Sequence, residues 1–447
     1  MIKIYDTMTR SLRDFVPLTE NVVNFYVCGP TVYNYIHIGN ARSAVAFDTI
    51  RRYFEYCGYT VNYISNFTDV DDKIIKAANE AGISTKELSD KFIAAFMEDT
   101  AQLGIKPATQ NPRVINYMDE IIAFVSTLVD KGFAYVSEGD VYFRVAKSNN
   151  YAKLANKTLE DLEIGASGRT DAETARKENP LDFALWKAAK EGEVSWDSPW
   201  GPGRPGWHIE CSVMATEILG DTIDIHGGGA DLEFPHHTNE IAQSEAKTGK
   251  TFANNWMHNG FVNVDNEKMS KSLGNFVTVH DMLKTVDGQV LRFFLATQQY
   301  RKPINFTEKA IHDAEVNLKY LKNTHSLPLT EQVNQAELQT YLDAFQEAMD
   351  DDFNTANGVT VLFDMAKWIN SGNYDQTVKD AFEKMLQVFG IVFEEEVLDE
   401  DIEKLIEERQ AARANKDFAT ADRIRDELAA QGIKLLDTKE GVRWTRD

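Results

Sequence analysis

Two short segments far apart in the sequence carry residues suited to binding phosphate. His37 to Asn40 follows an apolar stretch and opens a segment with helical spacing, so we expect it at a helix N-terminus. Free backbone N–H groups and the helix dipole favour an anion at that position. Lys268 to Ser272 places two lysines three residues apart among serines, which indicates a mobile cationic loop. Two ammonium groups suit a polyphosphate, so the two segments together predict a nucleotide site.

Residues suited to a soft metal occur in three other places. Cys28 follows the first predicted strand, Cys211 lies in a predicted helix, and His236 and Glu240 are four residues apart, where a helix places both on one face. Two thiolates, one imidazole and one carboxylate suit tetrahedral zinc. No CxxC spacing is present. Taken alone, these residues therefore favour two buried cysteines of apolar character and a hydrogen-bonded core histidine.

A glycine triplet, Gly227 to Gly229, follows another predicted strand. It would lie at the carboxyl edge of an open α/β sheet, where ligands bind, and its lack of side chains permits close approach of adenine or ribose. Asp231 is then a candidate for the ribose hydroxyls. Without this setting a glycine triplet is more often a flexible turn. Neither a Walker A motif nor GxGxxG is present, so P-loop transfer and dinucleotide redox chemistry lack their usual signatures.

The elements that must position these residues alternate between strand and helix. Val22 to Val27, Asn40 to Tyr56 and Thr60 to Ile64 predict a right-handed βαβ unit with a parallel sheet. The alternation of predicted strands and helices is interrupted between residues 114 and 203, which indicates an insertion. The alternating pattern then returns, and after the lysine loop a long segment of helical periodicity predicts a bundle. The second half is predicted as a helix His208–Leu219, a strand Thr222–Ile225 and a helix from His236 to Thr248, and the chain ends with a helix pair and two strands, Ile433–Leu436 and Val442–Thr445.

Composition limits the class of protein. With 447 residues and 43% hydrophobic residues, the chain should form roughly two to four globular domains. A net charge of −23 argues against coating nucleic acid by bulk electrostatics, although a local basic groove could still bind phosphate. Three cysteines suit a reducing compartment. Because no long apolar run or basic leader occurs, we expect a cytoplasmic protein without a membrane partner.

Four motifs carry a family resemblance, which covers nearly the whole chain in order once the lysine loop, the predicted bundle and the small terminal domain are included. They are Cys28-Gly-Pro-Thr31-Val-Tyr33, Gly206-Trp-His-Ile-Glu-Cys211, Gly227-Gly-Gly-Ala-Asp231-Leu and Phe234-Pro-His-His. With the two phosphate segments, which are similar to HIGH and KMSKS signatures, the chain resembles the cysteinyl-tRNA synthetases of class I. The resemblance implies an α/β Rossmann-like (HUP-type) parallel-sheet catalytic domain with an inserted subdomain, then an α-helical bundle and a small mixed α/β C-terminal domain. The predicted bounds are 1–113 and 204–260 for the two halves of the Rossmann domain, 114–203 for the insertion, 261–307 for the KMSKS and stem-contact region, 308–393 for the bundle and 394–447 for the anticodon-binding domain, with an acidic connector at its start.

The resemblance also implies a zinc site and an amino-acid pocket. One zinc ion per chain would be held by Cys28, Cys211, His236 and Glu240, and would take the substrate thiolate as a fifth ligand or in place of a weak one. Such a contact would exclude serine, which a hydrophobic pocket alone rejects only by about 10–200-fold. The pocket would use three further residues: Thr68 for the amino or carboxylate end, and Trp207 and His237 as walls, although a Trp in such a setting equally often serves packing.

For ATP, the resemblance implies phosphate contacts with Mg²⁺ from His37, Asn40, Lys268 and Lys271, and Lys271 is expected to matter most. Asn40 replaces the commoner second histidine of the signature. Its amide can donate a hydrogen bond to phosphate but cannot become cationic. We therefore expect the substitution to affect the rate of the reaction and not its type. The glycine triplet and Asp231 would face the nucleoside. The full HIGH-type element is Pro30, Thr31, Val32, Tyr33, Asn34, Tyr35, Ile36, His37, Ile38, Gly39 and Asn40, and the KMSKS element is Lys268, Met269, Ser270, Lys271 and Ser272.

The implied reaction activates L-cysteine with ATP and transfers it to the 3′-terminal ribose of tRNA(Cys), in a protein we expect to be monomeric. Arg443, Trp444 and Arg446 would contact an unpaired anticodon base by stacking, or else form a hairpin packed on its own helix pair. Two other functions stay open at this point. One is a relative that passes activated cysteine to a small amine; the other is a zinc-stabilised RNA-binding protein without catalysis, which would leave the loop lysines without a purpose.

Overall fold

The computed structural model describes residues 1–166, 174–270, 272–394, 400–439 and 441–446. The chain divides into two compact units, Met1–Val392 and Phe393–Asp447. None of the described helices is long and apolar enough to cross a membrane.

A parallel βαβ unit opens the larger unit after a short N-terminal hairpin. The predicted strand at Val22–Val27 and the predicted helix are both present, and the two flanking strands pair in parallel, as expected. The helix begins at Ile38, two residues earlier than predicted, because His37 caps it. The elements are β1 (Lys3–Asp6), β2 (Ser11–Asp14), β3 (Val22–Val27), α1 (Ile38–Tyr56), β4 (Thr60–Ser65), α2 (Asp72–Ala81), α3 (Thr85–Gln102) and α4 (Met118–Asp130).

An antiparallel sheet of four strands is inserted before the second half of the parallel fold. Its apolar face packs on α4 through Ile121, Phe124 and Leu128, which are all buried. This insertion contains β5 (Ala134–Ser137), β6 (Asp140–Phe143), α5 (Leu159–Ala166), β7 (Phe183–Ala188) and β8 (Gly203–Pro205).

The second half completes a central parallel sheet with the strand order β10-β9-β3-β4. Its elements are α6 (Trp207–Leu219), β9 (Ile223–Gly229), α7 (Thr238–Thr248) and β10 (Ala253–Asn259). The glycine triplet belongs to β9, which runs four residues beyond the predicted end. The helix predicted from His236 begins at Thr238 instead. The preceding turn contains Phe234 in an extended conformation, as expected for a residue before proline.

A three-stranded sheet and a helical bundle follow, and a small α/β unit ends the chain. In the small unit, Ile402, Ile424, Leu428 and Ile433 form the core. The acidic connector predicted at its start falls mostly on residues 395–399, outside the described residues. These elements are β11 (Val262–Val264), β12 (Glu267–Lys268), α8 (Val279–Met282), α9 (Gly288–Ala296), β13 (Ile304–Phe306), α10 (Glu308–His325), α11 (Gln335–Asp350), α12 (Thr355–Asn370), α13 (Gln376–Val388), α14 (Glu400–Ala414), α15 (Phe418–Ala430), β14 (Ile433–Thr438) and β15 (Gly441–Arg446).

A buried ion pair joins α1 to α9 and to the end of the bundle. Arg292 Nη1 lies 2.7 Å from Asp48 Oδ2, and neither side chain is more than 2% exposed. The same guanidinium donates from Nε to the Phe389 carbonyl at 2.8 Å and from Nη2 to Thr49 Oγ1 at 3.0 Å. Asp48 also accepts the Lys106 backbone N–H at 2.9 Å. The helix that carries the first phosphate segment is thereby fixed to three other segments.

We predict that Arg292→Met lowers the free energy of unfolding by about 3–5 kcal/mol, because it leaves the Asp48 carboxylate buried without its main partner. Urea denaturation measures the change. Lys309→Met is the matched control, since Lys309 pairs with Asp313 at 2.7 Å but is 84% exposed, and should change little. Equal stabilities of the two variants would contradict the assigned role of the buried pair.

Candidate metal centre and nucleotide cavity

Four segments bring the predicted metal ligands together at the carboxyl edge of the central sheet. Cys28 directly follows β3, Cys211 lies in the second turn of α6, His236 lies in the turn before α7, and Glu240 lies in the first turn of α7. Their ligand atoms all lie within 4.8 Å of one another. Cys28 Sγ is 3.4 Å from Cys211 Sγ and 3.6 Å from Glu240 Oε2, which in turn is 3.3 Å from His236 Nε2.

A second layer of side chains orients two of these ligands. His236 directs Nδ1 to His208 Nδ1 at 3.1 Å, so its Nε2 faces the cluster, and Trp207 stacks on the ring at a centroid distance of 4.3 Å. Glu240 uses Oε1 to contact His226 Nε2 at 2.9 Å, which leaves Oε2 toward the thiols. Second-layer contacts of this kind are typical of metal sites. Sequence reasoning missed His226 and His208, because nothing in their spacing distinguishes them from core histidines.

A second set of donors overlaps the first. Cys28, His226, His237 and Glu240 also have ligand atoms within 4.8 Å of one another. His237 Nε2 is 3.8 Å from Glu240 Oε2, and its Nδ1 pairs with His258 Nε2 at 2.8 Å. His226 Nδ1 and His237 Nε2 are buried without a hydrogen-bond partner among the described residues. The geometry thus offers two neighbouring positions for one cation, which share Cys28 and Glu240.

The electrostatics of the cluster favour a cation. Burial raises the pKa of the Cys28 thiol well above its usual range, and the adjacent Cys211 raises it further. Burial also raises the pKa of Glu240, and the neighbouring His226 ring lowers it in part. Burial holds the pKa of His236 well below its usual range, so this ring is a neutral donor. A positive charge beside Cys28 and Glu240 would favour the ionised forms of both groups. A donor set of two sulfurs, an imidazole and a carboxylate therefore fits a soft divalent metal.

A cavity of about 670 Å³ opens beside the cluster, and both phosphate segments line it. At its wall, His37 Nδ1 accepts the Asn40 backbone N–H at 3.2 Å, while Asn40 Oδ1 accepts the His37 backbone N–H at 3.1 Å. These reciprocal bonds cap helix α1. Because Nδ1 of His37 accepts a hydrogen bond, the neutral ring carries its proton on Nε2. The lining residues from the HIGH-type element are Pro30, Thr31, Tyr33, Asn34, Tyr35, Ile36, His37, Gly39 and Asn40, whereas Val32 and Ile38 are buried.

The lysine loop is attached to the first segment by backbone hydrogen bonds. Ile38 donates its N–H to the Val277 carbonyl at 3.1 Å, and Val279 donates to the Ile36 carbonyl at 2.9 Å. Lys268, Met269 and Ser270 line the cavity with the first segment. Lys271 lies outside the described residues, so its predicted phosphate contact has no structural account. Sequence reasoning missed Asn275, whose side chain accepts the Ser270 N–H at 2.9 Å and donates to the Lys268 carbonyl at 3.3 Å.

Packing explains all three glycines. A Cβ on Gly227 would lie 2.6 Å from Phe47 Cε1, and a Cβ on Gly228 would lie 2.8 Å from His237 Cε1. A Cβ on Gly229 would clash with Asp231 Oδ1. All three glycines therefore admit neighbouring side chains of the protein itself. Gly229 and Asp231 line the cavity. The nucleoside contact that the sequence suggests for the triplet stays a prediction.

The residues predicted for amino-acid binding divide between the cavity wall and the layer behind it. Thr68 and Trp207 line the cavity together with Cys28, Cys211 and His236. His237 is fully buried beneath Gly228. Thr68 accepts a hydrogen bond from Asn66, a residue that the sequence did not single out.

The predicted RNA-contacting residues lie on the last strand of the small unit. Trp444 is half-buried and packs against the core of that unit, opposite Leu435 in the strand pairing. Arg443 and Arg446 are three residues apart on β15, so their side chains leave opposite faces of the hairpin. Packing is therefore part of the role of Trp444.

Comparison with known proteins agrees with the fold. The family of class I (C) tRNA synthetase catalytic domains matches residues 14–316, the DALR domain matches residues 344–394, and the cysteinyl-tRNA ligase anticodon-binding domain matches residues 395–444. Among solved structures, methionyl-tRNA synthetase of Mycobacterium tuberculosis in complex with methionyl-adenylate has a TM-score of 0.60 at 15% identity, covering 82% of this chain and 89% of that one. The LeuRS ternary complex of Agrobacterium radiobacter K84 has the same TM-score at 10% identity, covering 84% of each chain. Fold and site thus define a class I aminoacyl-tRNA synthetase.

Relatives that match the full length of the chain assign it to one family within this class. A cysteine–tRNA ligase of Streptococcus thermophilus strain CNRZ 1066 is 95% identical over 447 residues, which is the whole of both chains. Those of Streptococcus pyogenes serotype M6 and Streptococcus agalactiae serotype III are 83% and 82% identical, again over the whole of both chains. The chain belongs to the cysteine–tRNA ligase family. The fold class expected from the sequence is confirmed.

We predict that Cys211→Ser and His236→Gln lose bound metal, whereas His237→Gln retains it, because only the first two replace ligands of the first donor set. Metal content per chain, measured by inductively coupled plasma mass spectrometry, distinguishes the two positions. Cys57→Ser is the matched control, since Cys57 is a free, exposed cysteine outside the cluster. Loss of metal from the His237 variant alone would favour the second donor set.

Proposed function

We propose that this cavity activates L-cysteine with ATP and transfers the cysteinyl group to the 3′-terminal ribose of tRNA(Cys). One observation carries the proposal: the cluster of two thiols, an imidazole and a carboxylate opens on the same cavity as His37 and Lys268. A cluster suited to a thiol and residues suited to phosphate thereby line one cavity of about 670 Å³, which supports binding of an amino acid beside a nucleotide.

We propose zinc as the resident metal, one ion per chain, held by Cys28, Cys211, His236 and Glu240. A bound zinc ion supplies a Lewis acid that prefers a substrate thiolate to the hydroxyl of serine. The protein's own part is to hold the four donors at fixed distances and to keep water away, which the burial of Cys211, His236 and Glu240 supports. Trp207, 40% exposed and stacked on His236, supplies a wall for the bound amino acid.

The phosphate-binding residues act by position and charge. The carboxylate of cysteine attacks the α-phosphorus of Mg²⁺-bound ATP, the bond to the bridging oxygen breaks, and pyrophosphate leaves. A ribose hydroxyl of the tRNA then attacks the carbonyl carbon and AMP leaves. Since the first nucleophile is already an anion, the protein mainly orients groups and stabilises developing charge. His37 Nε2–H, the N-terminus of α1, Lys268 and, outside the described residues, Lys271 serve this purpose.

The small C-terminal unit is proposed to bind the anticodon, which the family match at residues 395–444 supports. Arg446 is exposed and Arg443 is half-buried on the other face of the hairpin, so each can reach a different phosphate or base. The expected cytoplasmic location and monomeric state stay predictions, which cell fractionation and light scattering would test.

We predict cysteine-dependent exchange of labelled pyrophosphate into ATP, followed by acylation of tRNA(Cys). Serine is the matched substrate control and should support no measurable exchange. Absence of exchange with cysteine would exclude both an aminoacyl-tRNA ligase and a ligase for small amines. Exchange without acylation of tRNA would favour the small amine as acceptor.

We predict that His37→Ala and Lys268→Ala each lower kcat of exchange by about a hundredfold to a thousandfold, the cost of removing one donor to developing charge. The KM for cysteine should change little, because neither side chain belongs to the metal cluster. Lys250→Ala is the control, an exposed lysine paired with Asp221 outside the cavity lining. A rise in the KM for cysteine with unchanged kcat would contradict the phosphate-binding role.

A further inference from the structure

A stacked pair of rings joins the short helix α8 to the HIGH-type element. His37 forms an isolated antiparallel bridge with Thr278. Two residues further along each segment, Tyr35 and His280 are again opposite each other and on the same face. Their rings stack at a centroid distance of 4.1 Å with 8° between the planes. Because Tyr35 lines the cavity, the segment that follows the lysine loop contacts the cavity wall through this pair.

Helix α3 holds both rings of the pair. Asp99 Oδ1 lies 3.2 Å from His280 Nδ1, and Asp99 is only 1% exposed. Seven residues earlier in the same helix, Phe92 contacts the Tyr35 ring edge-on at a centroid distance of 5.2 Å. Residues seven apart share one face of a helix, so a single face of α3 supports the whole pair. The His280 ring is therefore held on two sides although its side chain is 32% exposed.

The segment before His280 leads directly to the first lysine of the loop. Phe276, which also lines the cavity, contacts the His37 ring edge-on at a centroid distance of 5.1 Å. The preceding residue, Asn275, donates to the Lys268 carbonyl at 3.3 Å and accepts the Ser270 N–H at 2.9 Å. A change in the direction of residues 276–280 would therefore move Lys268 as well.

The backbone bridge fixes where the two segments join but not the angle between them. Its hydrogen bonds, from Ile38 to Val277 and from Val279 to Ile36, flank a single residue pair. So short a pairing has little stability of its own and resists rotation only weakly. The stack on Tyr35 and the contact with Asp99 lie beyond one end of the bridge, where they oppose such a rotation.

We propose that His280 is a positioning residue for the lysine loop: held between Tyr35 and Asp99, it sets the angle at which the loop leaves the bridge and so places Lys268 toward the phosphates of ATP. The inference rests on the proposed function, which assigns ATP to this cavity. Among the described residues, those that line the cavity include neither His280 nor Asp99. Any effect of His280 on the nucleotide must therefore act through the loop and the HIGH-type element.

A double-mutant cycle on binding of Mg²⁺-ATP tests this path, with dissociation constants measured by isothermal titration calorimetry on the full-length protein. We expect His280→Ala to weaken binding by about threefold to tenfold, the range that the loss of one aromatic pair allows. In the Lys268→Ala background the same change should weaken binding by less than about twofold, because the lysine that His280 positions is absent. His312→Ala, at an exposed histidine of α10, is the matched control and should change neither background.

Two further measurements separate positioning from a general structural role. His280→Phe keeps a ring to stack on Tyr35 and should recover most of the affinity for ATP that His280→Ala loses. In pyrophosphate exchange, His280→Ala should raise the KM for ATP, while the KM for cysteine and the metal content stay those of the wild type. The variant with phenylalanine also provides the comparison if the alanine variant is unstable.

An equal effect of His280→Ala in both backgrounds would show that His280 acts independently of Lys268 and would overturn the inference. Wild-type affinity for ATP in the His280→Ala variant, or equal changes in the KM for ATP and for cysteine, would do the same. Coupling between His280 and Lys268 in ATP binding without any cysteine-dependent exchange would count against the proposed function and support this inference.

Discussion

The site depends on the pairing of three neighbouring parallel strands, β9, β3 and β4, which all end at the same edge of the central sheet. Val27 of β3 pairs with Gly227 of β9 on one side and Ser65 of β4 on the other. The next residue is Cys28 after β3 and Asn66 after β4, and the cavity-lining Gly229 lies two residues further along β9. A slip of two residues in either pairing would preserve the buried faces yet displace these groups by about 7 Å. That distance exceeds the 4.8 Å within which the four donors lie, so register and metal geometry are specified together.

Much of the fold and part of the site were predictable from the sequence. Val22–Val27 and α1 have strong periodicity and clear flanking signals, and for this reason their bounds agree within two residues. The start of α7 was misplaced, because Phe234 before a proline takes an extended conformation that helical spacing does not reveal. The packing of Gly227 and Gly228 on Phe47 and His237 was also not predictable, since it joins residues distant in sequence.

The supporting layer of the site was the least predictable part. His208, His226, Asn66 and Asn275 act through residues brought close by folding, and their types are common in ordinary cores and turns. Only the topology of the sheet reveals that His226, within β9, lies beneath Glu240. Cys57 and Cys211 illustrate the same limit: one directly follows a helix and is exposed, and the other lies within a helix and is buried against three further donors.

The backbone bonds between Ile36–Ile38 and Val277–Val279 have an evolutionary consequence. They use only main-chain N–H and carbonyl groups, so the attachment of the lysine loop is independent of the side chains within it. Side-chain substitutions in the loop therefore leave these two backbone bonds in place. The start of α1 and the end of the lysine loop thus stay connected through main-chain atoms whatever side chains the loop carries.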